Sequence, residues 1–235
     1  MPQISIILLN INMRLTKTLL ISAVLFMSAS GLQAAGFSQN GNFLTVQLKQ
    51  HQNYGPSQIR LQVVSDKIIR VQATAEQSFK DKTSLIIVPQ TSKATYKVDE
   101  QGDNLIITTA AMRAVLNEGT GHITFYDLKD NVLLNEVAQG GKTFKPFTVP
   151  DREIGVDIDK VPEAQKHGWS WRAIFDSPDN EAFYGLGQHQ SEELNMKGKN
   201  EDLFQYNTKV SVPFVISNKN YGILWDSYSY CRWGN

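Results

Sequence analysis

The chain has 235 residues, 41% of them hydrophobic and 20% charged, with 23 basic against 23 acidic side chains and a formal net charge of zero. That is a globular composition, long enough for one large domain or two small ones. Balanced charge removes the electrostatic case for a nucleic acid or an anionic membrane surface as partner.

Arg14 and Lys17 precede an apolar run, Leu19–Met27, which small residues and Leu32-Gln33-Ala34-Ala35 follow. A basic start, an apolar centre and a small-residue end predict a secretory signal peptide over residues 1–35, cut after Ala34 or Ala35. Met13 makes a compact start for it, so Pro2–Asn12 reads as an over-long beginning that lies outside the fold. The apolar run is shorter than the roughly 20 residues a membrane span needs. The expectation is therefore an exported protein, periplasmic or extracellular, with no membrane attachment after signal removal and a folded domain over residues 36–235. Cys231 is the one cysteine. An internal disulfide is excluded, and stability must come from core burial. No helix start or neighbouring base marks that thiol as a nucleophile.

From Phe43 onward the apolar period is two. Leu44, Val46 and Leu48 alternate with polar residues, as do Ile59, Leu61 and Val63, then Ile69, Val71 and Ala73. These patterns predict half-buried antiparallel strands, the last two joined by the tight link Ser65-Asp66-Lys67. Leu85–Val88 reads as a short buried strand stopped by Pro89. Thr95–Val98 and Leu105–Thr108 flank a turn, as do Met112–Leu116 and His122–Tyr126, and Val132–Asn135 follows. Gln139–Pro162, with its glycines and prolines, reads as a long loop. Trp169–Phe175 is a strand, and so is the short run Ala182–Tyr184 that enters Gly185-Leu186-Gly187. Turn signals every ten residues or so, with no sustained helical period past Ala35, predict an all-β antiparallel sandwich. A (β/α)8 barrel needs about 250 residues of alternating strand and helix, and only roughly 200 strand-like residues remain after the leader, so no barrel is expected.

Few residues carry chemistry of their own. His51, His122, His167 and His189 are scattered without metal-ligand spacing, and Asp157 and Asp159 lack a following calcium-loop ligand run, so no metal and no cofactor is predicted. There is no nucleophile elbow and no phosphate loop. Glu192-Glu193 and Glu201-Asp202 are paired carboxylates by composition, read either as glycosidase acids or as solvent-facing charge. Trp169 and Trp171 share one strand face, where they either stack on sugar rings or pack in the core.

An ordered set of motifs adds to this. Phe183-Tyr184-Gly185-Leu186-Gly187-Gln188-His189, then Leu203-Phe204-Gln205-Tyr206-Asn207, then Pro213-Phe214, then Tyr221-Gly222-Ile223-Leu224-Trp225-Asp226 resembles the N-terminal β-sandwich of glycoside hydrolase family 31, most closely that of bacterial α-xylosidases. The resemblance runs from about Gly36 to Asn235, and it includes the hairpin Ile59–Ala73. It implies a retaining α-glycosidase whose two catalytic Asp residues lie in a barrel absent from this chain, so that the chain holds no catalytic residue. It implies a xyloglucan-type oligosaccharide as substrate and the missing catalytic barrel as partner. A sandwich loop in the family borders the leaving-group side of the site, and many of its α-glucosidases carry Asn-Arg-Asp there. Here those positions read Gln205-Tyr206-Asn207, a departure that fits an α-xylosidase better than a plain α-glucosidase. Asn207, with Gln205 beside it, then either contacts a sugar hydroxyl or caps a loop turn. The alternative is a free-standing carbohydrate-binding module.

Overall fold

The computed structural model of the chain describes residues 3–11, 36–50, 53–80, 83–88, 94–148, 158–160, 162–190 and 192–234. The leader expected around Leu19–Met27, with its cleavage site, lies outside the described residues.

The strands in chain order are β1 (Gln3–Asn10), β2 (Phe37–Asn40), β3 (Phe43–Gln47), β4 (Gln58–Ser65), β5 (Ile68–Thr74), β6 (Lys97–Gln101), β7 (Asn104–Thr108), β8 (Met112–Asn117), β9 (Ile123–Asp127), β10 (Val132–Asn135), β11 (Lys142–Thr148), β12 (His167–Ala173), β13 (Phe183–Gln188), β14 (Asn200–Leu203), β15 (Val210–Ser217), β16 (Tyr221–Trp225) and β17 (Cys231–Gly234). A single helical turn, α1 (Glu163–Lys166), leads into β12. One sheet has eight strands in the order β13-β15-β16-β1-β5-β4-β3-β2, and a second has five in the order β10-β9-β8-β7-β6. Two ribbons, β11–β12 and β14–β17, complete the architecture. All the pairings are antiparallel. The predicted all-β antiparallel sandwich is what the chain forms.

The period of two explains the layering. Leu44 and Val46, then Ile59, Leu61 and Val63, then Ile69, Val71 and Ala73 face inward from the large sheet. Leu105, Ile107, Met112, Ala114, Leu116, Ile123 and Phe125 face them from the small one, in a single apolar cluster. Successive strand residues point to opposite faces, so alternate positions suffice to fill the space between the sheets. Polar bonds fix how the sheets meet. The Thr109 hydroxyl donates to the Asp66 carbonyl at 2.6 Å, and the Asn10 amide donates to the Ala111 carbonyl at 2.9 Å.

Three expectations are corrected. Leu85–Val88 is not a buried strand: Leu85 is 80% and Val88 73% exposed. The backbone amides of Ile86 and Ile87 donate to the Ser84 hydroxyl, and that of Leu85 to the Tyr228 hydroxyl, so side chains take the bonds a sheet neighbour would need. Gln139–Pro162 is not all loop, because β11 pairs residue for residue with β12, Lys142 opposite Ala173 and Thr148 opposite His167. Only Lys142 and Phe144 of β11 are buried, and Pro146 interrupts the pattern, so two inward positions were too few to reveal a strand. Pro2–Asn12 does not stand wholly outside the fold. Gln3–Asn10 lies in the middle of the large sheet, where Ile6 and Leu8 enter the common core.

A buried carboxylate ties β13 to β15 and β16. Glu181, just before β13, accepts hydrogen bonds from the Ser217 hydroxyl and, at 2.6 Å, from the Tyr221 hydroxyl. Burial, and then the bond to this carboxylate, push the Tyr221 phenol far above its ordinary range. The unfolded chain releases that proton near pH 10 while the folded chain keeps it. Stability therefore falls as pH rises past about 10. Chemical denaturation at a series of alkaline pH values should show a shallower fall in Tyr221→Phe than in the parent. An unchanged slope would refute the assignment.

Candidate functional site

The glycine pair shapes the site. In β13, Gly185 stands opposite Val215 and Gly187 opposite Ser211. One residue, Leu186, thus faces three on β15: Val212, Pro213 and Phe214. The strand continues through the glycines instead of leaving the sheet, and the extra length is taken up as a bulge on the partner. Pro213, which lacks a donor, falls inside that bulge where no ladder bond is required. Leu186 has a φ of +66° and is fully buried. Gly187 has a φ of +101°, and a β-carbon there would lie 2.1 Å from the Val210 carbonyl oxygen. The sequence therefore needs glycine at this position for a close backbone approach as well as for its dihedral.

The bulge positions His189. Its Nε2 lies 2.7 Å from the Leu186 carbonyl oxygen, and Nδ1 lies 2.7 Å from Glu201 Oε1, in ion-pair range though out of line for a hydrogen bond. The ring thus spans from the bulge to β14, with one nitrogen near the Leu186 carbonyl and the other near Glu201. Glu201 also receives Lys209 Nζ at 2.5 Å, and the same ammonium donates to the Asp202 carbonyl.

Above this brace stands an exposed rim. Leu203 is buried as the anchor, while Phe204 is 57% and Tyr206 52% exposed. Their rings lie 6.1 Å apart at 34°. Tyr206 bridges to Lys209, which closes the turn carrying Asn207. Gln205 and Asn207 are exposed, and neither side chain hydrogen-bonds another described residue. Of the two readings for Asn207, the cap role thus finds no bond among the described residues. The rim carries two exposed amides in the same short loop as two exposed aromatic rings, residue types that suit sugar hydroxyls and C–H groups.

Three of the four paired carboxylates are engaged with other side chains. Glu193 pairs with Lys199, and Glu201 is held as described. Asp202 Oδ1 accepts from the Tyr230 hydroxyl at 2.7 Å and Arg232 Nε at 2.8 Å. That hydroxyl, then that guanidinium, hold the Asp202 carboxyl below its usual range. Glu201 is thus not a solvent-facing charge, whereas Glu193 and Asp202 are exposed members of ion pairs. Among the described residues no group of three or more potential metal ligands occurs, and no helix is long and apolar enough to cross a membrane.

Trp169 and Trp171 belong to the separate β11–β12 ribbon. They share a face, opposite Pro146 and Phe144, but lie at different depths. Trp171 packs against the core beside buried Phe144, and Trp169 is 42% exposed. Gln205 and Asn207 lie in one exposed loop, whereas the tryptophans lie at different depths. Sequence reasoning did not find the His189–Glu201–Lys209 brace, whose members are separated by loop residues of no fixed period. The Phe204–Tyr206 pair did leave a signal: two aromatics inside an otherwise polar loop.

Residues 58–233 match the family model described as the glycosyl hydrolase 31 N-terminal galactose mutarotase-like domain. The chain belongs to glycoside hydrolase family 31. Its sandwich superposes on the family 31 α-xylosidase of Xanthomonas citri with a TM-score of 0.70 and 36% identity, over 83% of this chain and 19% of that one. A family 31 α-xylosidase from a soil metagenome, solved with xylose, gives a TM-score of 0.62 at 25% identity, over 83% of this chain and 28% of that one. Among curated proteins, the α-xylosidase of Saccharolobus solfataricus is 24% identical over 185 residues, 74% of this chain and 23% of its own length. An uncharacterized family 31 glucosidase of Pseudescherichia vulneris is 26% identical over 178 residues, 72% of this chain and 32% of its own length. The chain thus spans about a third or less of the length of these relatives, and it is α-xylosidase-like in both sequence and fold.

Proposed function

We propose that this chain is the non-catalytic N-terminal sandwich of an exported, retaining α-glycosidase that removes α-xylosyl groups from xyloglucan-type oligosaccharides. The sandwich supports the catalytic barrel, and its Phe204–Asn207 rim borders the leaving-group side of the site. The observation that carries this reading is the exposed rim itself. Two exposed amides, without a side-chain hydrogen bond among the described residues, share a loop with two exposed aromatics above the Glu201–Lys209 ion pair, a combination suited to receiving something polar and ring-shaped. The likeness to α-xylosidases supports the choice of sugar.

Hydrolysis of chromogenic α-xyloside and α-glucoside tests the reading, using this chain alone and a protein in which it is joined to a family 31 barrel. The expected result is an inert chain and an active longer protein that prefers the xyloside. In that longer protein Asn207→Ala should lower kcat/KM for a xyloglucan oligosaccharide about tenfold, the loss of roughly one hydrogen bond to a sugar hydroxyl. Activity in the chain alone would overturn the non-catalytic assignment, and a glucoside preference would overturn the sugar. The exposure of Trp169 favours a second reading, a free-standing carbohydrate-binding module. Saturable binding of xyloglucan oligosaccharide by the chain alone, lost in Trp169→Ala, would favour that module.

A further inference from the structure

The place of β1 in the large sheet is unlike that of any neighbour. Its successor in sequence, β2, lies at the far edge, with β5, β4 and β3 between them. Every other internal strand of this sheet has a pairing partner that is its nearest described strand in sequence, whereas β1 pairs only with β5 and β16. Both run antiparallel to it, so β5 and β16 run parallel to each other. With β1 removed they would stand roughly 9–10 Å apart, two strand spacings, too far to hydrogen-bond. The gap is a slot of one strand's width.

The slot reads its occupant in detail. Ile6 stands between Val71 and Trp225, and Leu8 between Ile69 and Ile223, so two inward aliphatic side chains at alternate positions complete the core. On the other face the Ser5 hydroxyl accepts from Arg70 Nε at 2.7 Å, and the Ser5 carbonyl accepts from the Asp226 amide at 2.9 Å. Arg70 is itself held by Asp226 at 2.9 Å, and Ser84 donates to that carboxylate. At the other end the Asn10 amide N–H donates to the Lys67 carbonyl, and its side chain reaches across to Ala111 of the second sheet. Two ladders, an apolar pair, a serine seat and an asparagine tie thus define a register that a one-residue slip would destroy.

We propose that the slot between β5 and β16 is a strand-binding site, and that it holds Gln3–Asn10 as a ligand through contacts that do not need the covalent link to β2. The partner it fits is an extended segment, antiparallel to both walls, with Ser, Ile and Leu at its positions 5, 6 and 8. The link raises the local concentration of the strand, but recognition lies in the buried contacts. A cut anywhere in residues 12–35 therefore leaves the strand seated. This inference does not depend on the α-xylosidase reading.

A full-length chain with a protease site inserted within residues 12–35 tests it. After cutting, the N-terminal piece should co-elute with the remainder in size-exclusion chromatography. Amides of β5 and β16 that face β1 should keep their protection from hydrogen exchange. In the cut form of the double variant Ile6→Asp, Leu8→Asp, the piece should separate. Protection in β5 and β16 should then fall at least a hundredfold, while that in β7, β8 and β9 persists. Separation of the unsubstituted piece on cutting, aggregation of the cut chain, or retention of the Asp-bearing piece would each overturn the proposal.

Discussion

Gly187→Ala is expected to destabilise the domain by about 3 kcal/mol or more, combining strain at a positive φ with a clash that parts two strands. The new methyl group would sit 2.1 Å from the Val210 carbonyl oxygen at a φ of +101°. Nothing flexible can yield, because the obstacle is backbone. The end of β13 must lift from β15, and with it go the bulge, the seat of His189 and the brace beneath the rim. In a domain of this size each kcal/mol shifts Tm by about 2–4 °C, so a fall of roughly 6–12 °C is expected by calorimetry. Gly41→Ala is the control. Gly41 also has a positive φ, +61°, but its added β-carbon meets nothing within 4 Å. It should cost about 1 kcal/mol, the strain alone. Equal losses in the two variants would show that close approach at Gly187 is not what demands glycine.

The second large effect lies at the root of β11. Lys142 Nζ and Glu136 Oε1 are 2.5 Å apart, with both side chains almost wholly buried. The ammonium also donates to the Gly121 carbonyl at 3.1 Å, and the carboxylate accepts the Ile123 amide at 3.1 Å. Removing one member strands the other charge in an apolar setting, which costs about 3–5 kcal/mol, whereas removing both costs far less. Lys142→Met should therefore lower the denaturant midpoint sharply without changing the slope of the transition. Glu136→Gln combined with Lys142→Met should recover much of the loss. A double-variant cycle with no coupling would show that the pair does not act as a unit. The β11–β12 ribbon that carries Trp169 is anchored at this end by Lys142 and Phe144, so the same variants bear on how the ribbon is held.

Much of the molecule was legible in its residues taken in order. Leu44 through Leu48, Ile59 through Val63 and Ile69 through Ala73 alternate so regularly that strand and inward face follow from the period of two, and the recurring turn signals add the sandwich. The family was legible as well, in the four ordered motifs from Phe183 to Asp226. Local pattern carries this information because each inward side chain of a strand is chosen by one core, two residues at a time. What depends on partners distant in sequence did not show. Leu85–Val88 looks like a strand until Ser84 and Tyr228 are seen to take its amides, and Gln139–Pro162 hides β11 because β12 completes it. Trp169 and Trp171 alternate alike in sequence, yet depth in the fold separates them. His189, Glu201 and Lys209 become a brace only when β13, β14 and β15 come together. The residues alone determined the layers and the family. The tertiary structure decided which polar groups are spent holding the rim and which, like Asn207 and Gln205, are left facing outward, because burial and pairing are properties of neighbours in space.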